Sequence, residues 1–374
     1  MDIDSGFDGG NIERLDGDGP TFRLAIRKDN QSDFYQWFHF RLSGGRGRDC
    51  DLAIVNAGGA AYAAGWKDYQ AAASYDRKRW FRVPTTYDGS TLAIRHRPER
   101  DAVYYAYFAP YSMERHFDLL AWAGERPGVT LECLGRTLDG QPLDLLTVGE
   151  PGAGKRVCWV IARQHPGETM AEWWMEGFLE RLLDEDDPLA RRLRQQAVFH
   201  IVANMNPDGS RRGHLRTNAA GANLNREWQQ PSLARSPEIF LVRSRMQATG
   251  VDYCFDVHGD EVMPYNFIIS SQGVPSFTPR LSDLTDRYRR ALMQASPDFQ
   301  IAHGYADTVP GKANLTLCSN WVAESFECLA MTLEMPFKDT ADSPRPQEGW
   351  SAPRSRRLGA ANLDALAAVI DRLR

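Results

Sequence analysis

Three short apolar runs constrain this chain more than any other feature: Val157 to Ala162, Ala197 to Ala203 and Val251 to Val257. Each reads as a buried strand. Each ends in residues that suit a turn or loop: Pro166-Gly167 after the first, Asn204 to Gly209 after the second, His258-Gly259 after the third. Helical patterns lie between them. Met170, Trp174, Phe178 and Leu182 recur four apart, with Trp173 alongside, and form one apolar helix face. Asp184 to Asp187 followed by Pro188 is an N-cap and first-turn arrangement for a second helix. Further helices are predicted over Met113 to Ala123, over Ser282 to Ala295, and along Leu363, Leu366, Ile370 and Leu373 behind a capping Asn362. A hairpin is predicted from Val129 to Leu134, through Asp139-Gly140, to Leu143–Val148. This alternation from residue 113 onward predicts an α/β sheet covered on both faces.

The first hundred residues read differently. Thr21 to Arg27, Gln36 to Leu42, Asp51 to Val55, Trp80 to Val83, Thr91 to Arg95 and Ala102 to Phe108 are short strand candidates, many separated by Gly, Asp or Asn turn signals. Such spacing suggests a β-sandwich. At 374 residues the chain is long for one core. The reading is therefore two domains, an N-terminal β-sandwich over 1–112 and an α/β domain over 113–374. The sandwich shows no metal-ligand or nucleophile pattern, so a structural or substrate-positioning role is expected of it.

Chemistry gathers at the strand ends. His165 and Glu168 follow the first apolar run, at the carboxyl end where open α/β sheets bind ligands. A neutral imidazole and an ionised carboxylate there are good zinc ligands, but catalytic zinc usually takes three protein ligands. His258, at the end of the third run, is the candidate third. Met331 to Met335 is another apolar run with one carboxylate inside it, Glu334. A buried carboxylate is costly unless it has a partner or a task. The loop after Asn206-Pro207-Asp208-Gly209 carries Arg211, Arg212, Arg216, Asn223, Asn225 and Arg226. Arg211 and Arg212 read as solvated surface.

A net charge of −5 gives no support to nucleic-acid binding. No apolar run is long enough to span a bilayer, and the acidic start Met1-Asp2-Ile3-Asp4 is not a secretory signal. The six cysteines lack Cys-x-x-Cys spacing and suggest free thiols in a reducing compartment. A cytoplasmic protein without membrane or nucleic-acid partners is expected.

Taken in order, His165-Pro166-Gly167-Glu168, Asn206-Pro207-Asp208-Gly209, Arg216, Asn225-Arg226, His258 and Thr332-Leu333-Glu334 resemble the zinc carboxypeptidases of the funnelin family. Trp80 to Val83 and Tyr107 to Tyr111 are similar to segments of the sandwich that precedes the catalytic domain in the cytosolic carboxypeptidases. The resemblance covers roughly residues 20 to 340. It implies a mixed, mostly parallel sheet flanked by helices, and one zinc ion per chain on His165, Glu168 and His258. It implies Glu334 as general base and Arg216 as stabiliser of the oxyanion. Asn225 and Arg226 would grip the terminal carboxylate of a peptide or protein substrate, which makes the activity that of an exopeptidase.

Cytosolic relatives favour acidic last residues, for which Lys312 or a nearby arginine is a candidate. Trp321 resembles a tryptophan of carboxypeptidase A, which puts Ser319 at a specificity position. The family often has Asp two residues before the Asn-Arg pair, where this chain has Asn223, whose amide oxygen can still accept a hydrogen bond from a zinc histidine. The alternative is a zinc deacylase of small N-acyl amino acids, of the aspartoacylase or succinylglutamate desuccinylase kind. The sandwich and the Asn-Pro-Asp-Gly loop favour the peptidase.

Overall fold

Period-two alternation decides the first hundred residues. In the computed structural model, which describes residues 1–17 and 19–373, Thr21–Ala25, Cys50–Ile54 and Leu92–His96 bury every second side chain. They belong to a five-stranded sheet with Glu13–Asp16 and Thr85–Tyr87. A second five-stranded sheet runs Asp2–Asp4, His39–Ser43, Ala102–Ala106, Ala71–Ser74, Phe81–Val83. Phe22, Leu24, Leu52, Ile54 and Ile94 from the first and Phe40, Leu42, Val103 and Tyr105 from the second are fully buried in one core. The expected strand over Gln36 to Leu42 begins only at His39. Gln36 instead turns its amide to Tyr62 O and the Tyr107 hydroxyl.

A seven-stranded mixed sheet follows, in the order Val129–Arg136, Pro142–Val148, Ala197–Val202, Arg156–Ala162, Tyr253–Val257, Leu329–Glu334, Phe267–Ser270. The four strands from Ala197–Val202 to Leu329–Glu334 are parallel, and the outer ones are antiparallel. Side chains alternate between two layers. Cys158, Val160 and Ala162 face the layer built by helices Met170–Leu182, Pro279–Ala295 and Ala352–Ala367; Trp159 and Ile161 face Pro237–Thr249 and Cys318–Phe326. Trp174, fully buried, stacks on Phe178 at 5.1 Å and Phe255 at 5.6 Å. Truncating such a side chain to alanine costs about 3–5 kcal/mol.

Two local expectations are corrected. Asn206-Pro207-Asp208-Gly209 is not a simple turn but the start of a short helix, Pro207–Arg212, because the Asn206 side chain accepts from Gly209 N–H. Asn362 caps nothing. It is buried within Ala352–Ala367, where its amide donates to Leu358 O and its oxygen accepts from the Tyr288 hydroxyl. No helix among the described residues is long and apolar enough to cross a membrane.

Candidate metal centre and active site

The chain order of the large sheet creates the site. From Arg156–Ala162 the chain moves to one side, to Ala197–Val202, then crosses back to Tyr253–Val257 on the other. Such a reversal opens a crevice at the carboxyl ends of the strands. Ala162, Val257 and Leu333 lie side by side there. His258 and Glu334 are the next residues on their strands, and His165 follows Ala162 across a tight turn.

Arg163 fixes that turn, with a positive φ of 60°. Its buried guanidinium donates to Pro166 O, Tyr111 O and the Glu172 carboxylate at 3.0, 2.9 and 2.6 Å. Asn206 donates to Gln164 O and so ties the neighbouring strand end to the same turn. The two motif glycines allow a close approach. A Cβ on Gly167 would stand 2.9 Å from Leu215 O, and one on Gly209 2.6 Å from Thr217 O, so both leave room for the loop that carries Arg216.

His165, Glu168 and His258 converge, each at most 3% exposed. His165 Nδ1 lies 2.6 Å from Glu168 Oε1, His258 Nδ1 lies 2.8 Å from Glu168 Oε2, and the two Nδ1 atoms are 3.1 Å apart. The outer nitrogens are occupied. His258 Nε2 sits 2.9 Å from Asp256 Oδ2, and His165 Nε2 sits 3.1 Å from Asn223 Oδ1. Nε2–H donation to these acceptors aims both Nδ1 atoms inward, the second-layer pattern that orients metal-binding imidazoles. Tetrahedral zinc with bonds of about 2.0–2.2 Å sets its donors roughly 3.3 Å apart, so the cluster fits such an ion with a small expansion. Asn223 therefore does accept from a candidate metal histidine, as its place in the sequence suggests.

Electrostatics separates Glu168 from Glu334. Burial disfavours charge on Glu168, but the imidazoles of His165 and His258 outweigh it and hold the carboxyl below its usual range. Burial pushes Glu334 well above that range; His258 opposes the shift, while Glu168, Asp260 and Glu261 add to it. Glu334 Oε2 has no hydrogen-bond partner. Burial, with Arg216 nearby, pushes His165 down to about 4, so its ring is neutral. His258 is held well above the usual histidine range: burial opposes this, but Asp256 and Glu168 win. A metal ion on Nδ1 would replace that proton.

A cavity of about 600 Å³ opens beside the cluster, lined by His165, Glu168, Arg216, Asn225, Arg226 and Glu334 among others. Arg216 Nη1 is 3.8 Å from Glu168 Oε1. Asn225 Oδ1 accepts from Cys318 N–H at 2.8 Å, and Arg226 Nη1 donates to Asn225 O at 2.6 Å, which fixes this pair at the rim. Arg211 and Arg212 are exposed, as expected of solvated residues, and Arg212 pairs with Asp139 at 2.6 Å. Ser319 lines the cavity and Lys312 is not among its lining residues. Trp321 does not line the cavity and packs at a tilt against Trp228, with ring centroids 5.9 Å apart.

Sequence reading missed Tyr62, Asp260, Glu261 and Tyr305, which also line the cavity. Burial and the nearby Glu168 push Glu261 up to about 8. Tyr305, 52% exposed, donates its hydroxyl to Asp260 Oδ2. Asp260-Glu261 directly follows His258-Gly259, which was the available signal. Tyr62 and Tyr305 carried none, because they come from distant loops.

Similarity to known proteins gives the family independently of this geometry. Residues 119–355 match the family described as zinc carboxypeptidase, and residues 3–108 match the cytosolic carboxypeptidase N-terminal domain. An uncharacterised protein of Zymomonas mobilis is 53% identical over 373 residues, covering all of this chain and 97% of that one. The crystal structure of a metallo-carboxypeptidase from Pseudomonas aeruginosa, in complex with (2-guanidinoethylmercapto)succinic acid, is 48% identical. It superposes with a TM-score of 0.98 and covers both chains completely. Human cytosolic carboxypeptidase 1 is 27% identical over 311 residues; the match takes in 69% of this chain but only 25% of that longer protein. With matches to the zinc carboxypeptidase family over residues 119–355 and to the cytosolic carboxypeptidase N-terminal domain over 3–108, and a cluster of three groups that could hold a metal ion, the chain belongs to the zinc carboxypeptidase family and carries the N-terminal domain of its cytosolic branch.

Proposed function

We propose that the chain hydrolyses the C-terminal peptide bond of peptides or proteins with one zinc ion held by His165, Glu168 and His258. The observation that carries this reading is the meeting of that donor cluster with the unpartnered Glu334 carboxylate and with Arg216, Asn225 and Arg226 in one cavity. Zinc, when bound, supplies Lewis acidity toward water and the scissile carbonyl. Glu334 takes a proton from the attacking water at Oε2 and delivers it to the leaving amine, one carboxyl serving as base and then as acid. Arg216, cationic at any working pH, stabilises the oxyanion that develops on the substrate. Asn225 and Arg226 hold the terminal carboxylate, which a guanidinium can bind through two parallel hydrogen bonds.

An acidic last residue is the favoured substrate side chain. The wall offers hydroxyls and an amide, Ser270, Thr308, Ser319, Asn320 and Thr332, and Ser270 Oγ has no partner. The chain divides near Ser112 into the sandwich and this catalytic domain, which the two family matches support. A cytoplasmic location belongs to the same reading, supported by six cysteines present as free thiols.

The test is a zinc-loaded, full-length preparation assayed on peptides that differ only in the last residue, with C-terminal amides, N-acyl amino acids and a chelator as further arms. The expected result is release of single C-terminal residues, fastest for Glu or Asp, no release from amides, and loss with chelator. Faster turnover of N-acyl amino acids than of peptides would make the chain a deacylase instead.

A further inference from the structure

Arg216 sits in a loop, 213–221, that has neither helix nor strand to hold it. The α/β domain holds part of it, through Gly167 N–H to Leu215 O and the Asn218 amide to Arg235 O and Glu238; the sandwich holds the stretch around Arg216. The buried Asp29 carboxylate accepts from the N–H of Leu215 at 2.7 Å, Arg216 at 2.8 Å and Thr217 at 2.9 Å, and from the Thr217 hydroxyl at 3.1 Å. Its neighbour Asn30 donates its N–H to His214 Nε2 at 3.0 Å and its side-chain amide to Ala219 O at 2.6 Å. Asn11 donates to Gly213 O at 2.9 Å. The guanidinium of Arg216 lies over the rings of Tyr62 at 5.2 Å and Phe34 at 5.8 Å, again from the sandwich.

We propose that Asp29 is a positioning residue for Arg216, so that the N-terminal sandwich is a working part of the active site. Three consecutive backbone N–H groups converging on one carboxylate make a cradle specific for negative charge. Their charge-assisted hydrogen bonds are about twice as strong as neutral ones. The cradle fixes the backbone from which the guanidinium reaches into the cavity. Asp29→Asn keeps the shape but turns an NH2 toward N–H groups that need an acceptor, so the loop moves. A displacement of about 1 Å at a group acting on the transition state costs about 100-fold in rate.

This inference rests on the carboxypeptidase reading, and the experiment separates the two. Peptide hydrolysis, zinc content and amide hydrogen exchange are measured on zinc-loaded, full-length wild type, D29N, R216A and the double variant. Expected for D29N are full zinc content, at least tenfold faster exchange at residues 215–217, and kcat lower by about 100-fold with a smaller change in KM. In the R216A background, D29N should lower kcat less than about twofold, because Asp29 acts through Arg216. Equal losses in both backgrounds, or unchanged exchange at 215–217, overturn the proposal. If D29N does not fold, Thr217→Val enters the same cycle, since it removes the hydroxyl donor from the cradle and keeps the side chain's shape; equal losses in both backgrounds there overturn it equally. A wild type that releases no C-terminal residue refutes the carboxypeptidase reading instead, and unchanged exchange in D29N still refutes the cradle.

Discussion

The two halves of the proposed active site are built by different means. The proposed metal half, the buried His165, Glu168 and His258, hangs from the ends of adjacent parallel strands and a short turn. The substrate half, Arg216, Asn225 and Arg226, hangs from irregular backbone whose hydrogen bonds go to the sandwich and to the start of helix Cys318–Phe326. A sheet positions a ligand through its own ladder, whereas a loop needs outside partners to satisfy its backbone groups. The first half should therefore tolerate changes in the second, and the substrate half should be sensitive to residues far from it in sequence.

The largest expected effect comes from removing the proposed proton carrier, Glu334, which lines the cavity shared by the two halves. Glu334→Gln should lower kcat by about 10²–10⁴-fold while the metal half keeps its zinc; parallel loss of zinc would show that the halves are not separable. Next is Arg226→Ala. Losing charge-assisted bonds worth about 1.5–3 kcal/mol should lower kcat/KM by roughly 10–100-fold, mostly through KM, with no change in melting temperature. Within the metal half, Asp256→Asn should weaken zinc affinity by about 10–100-fold, and Asn223→Ala by less, since a neutral amide contributes less to ligand basicity than a carboxylate. A chelator competition series ranks the two, and the reverse ranking would undo the assignment of Asp256.

The smallest catalytic effect is expected at Glu238, which lies beneath the Arg216 loop and accepts from Asn218 at 3.2 Å. Burial pushes this carboxyl up from 4.5 to about 8. The unfolded chain ionises it near 4.5 while the folded protein keeps the proton, so the stability linked to it is full below pH 4.5 and is lost as pH rises toward 8. Glu238→Gln should leave kcat alone and stabilise the fold progressively from pH 5 to pH 8, by about 3 kcal/mol at pH 7. A melting-temperature difference that stays flat across that range would contradict the buried, protonated state.

The same contrast explains what could be read from the sequence. The metal half was legible because its residues follow apolar strand runs, where burial leaves a polar residue few reasons to be present. Most of the sheet was legible for the same reason, but its edge strand Phe267–Ser270 was missed. Strands Asp2–Asp4 and Glu13–Asp16 were not legible, because their polar sequences lack an apolar alternation, and Ala71–Ser74 was hidden by the weak strand preference of alanine. Helix Pro237–Thr249 lacks a clean apolar stripe and was missed as well. Tyr62, Tyr305 and the Asp29 cradle are products of tertiary contact between segments far apart in the chain, which no local pattern encodes.

The central claim is that three donors from two strand ends hold one divalent ion. Zinc per chain, measured by elemental analysis on wild type and His258→Ala after exhaustive dialysis, tests it most directly. The account predicts one zinc per chain for wild type, and none for the variant together with loss of peptide hydrolysis. A variant that retains a full equivalent of zinc and still releases C-terminal residues would contradict it.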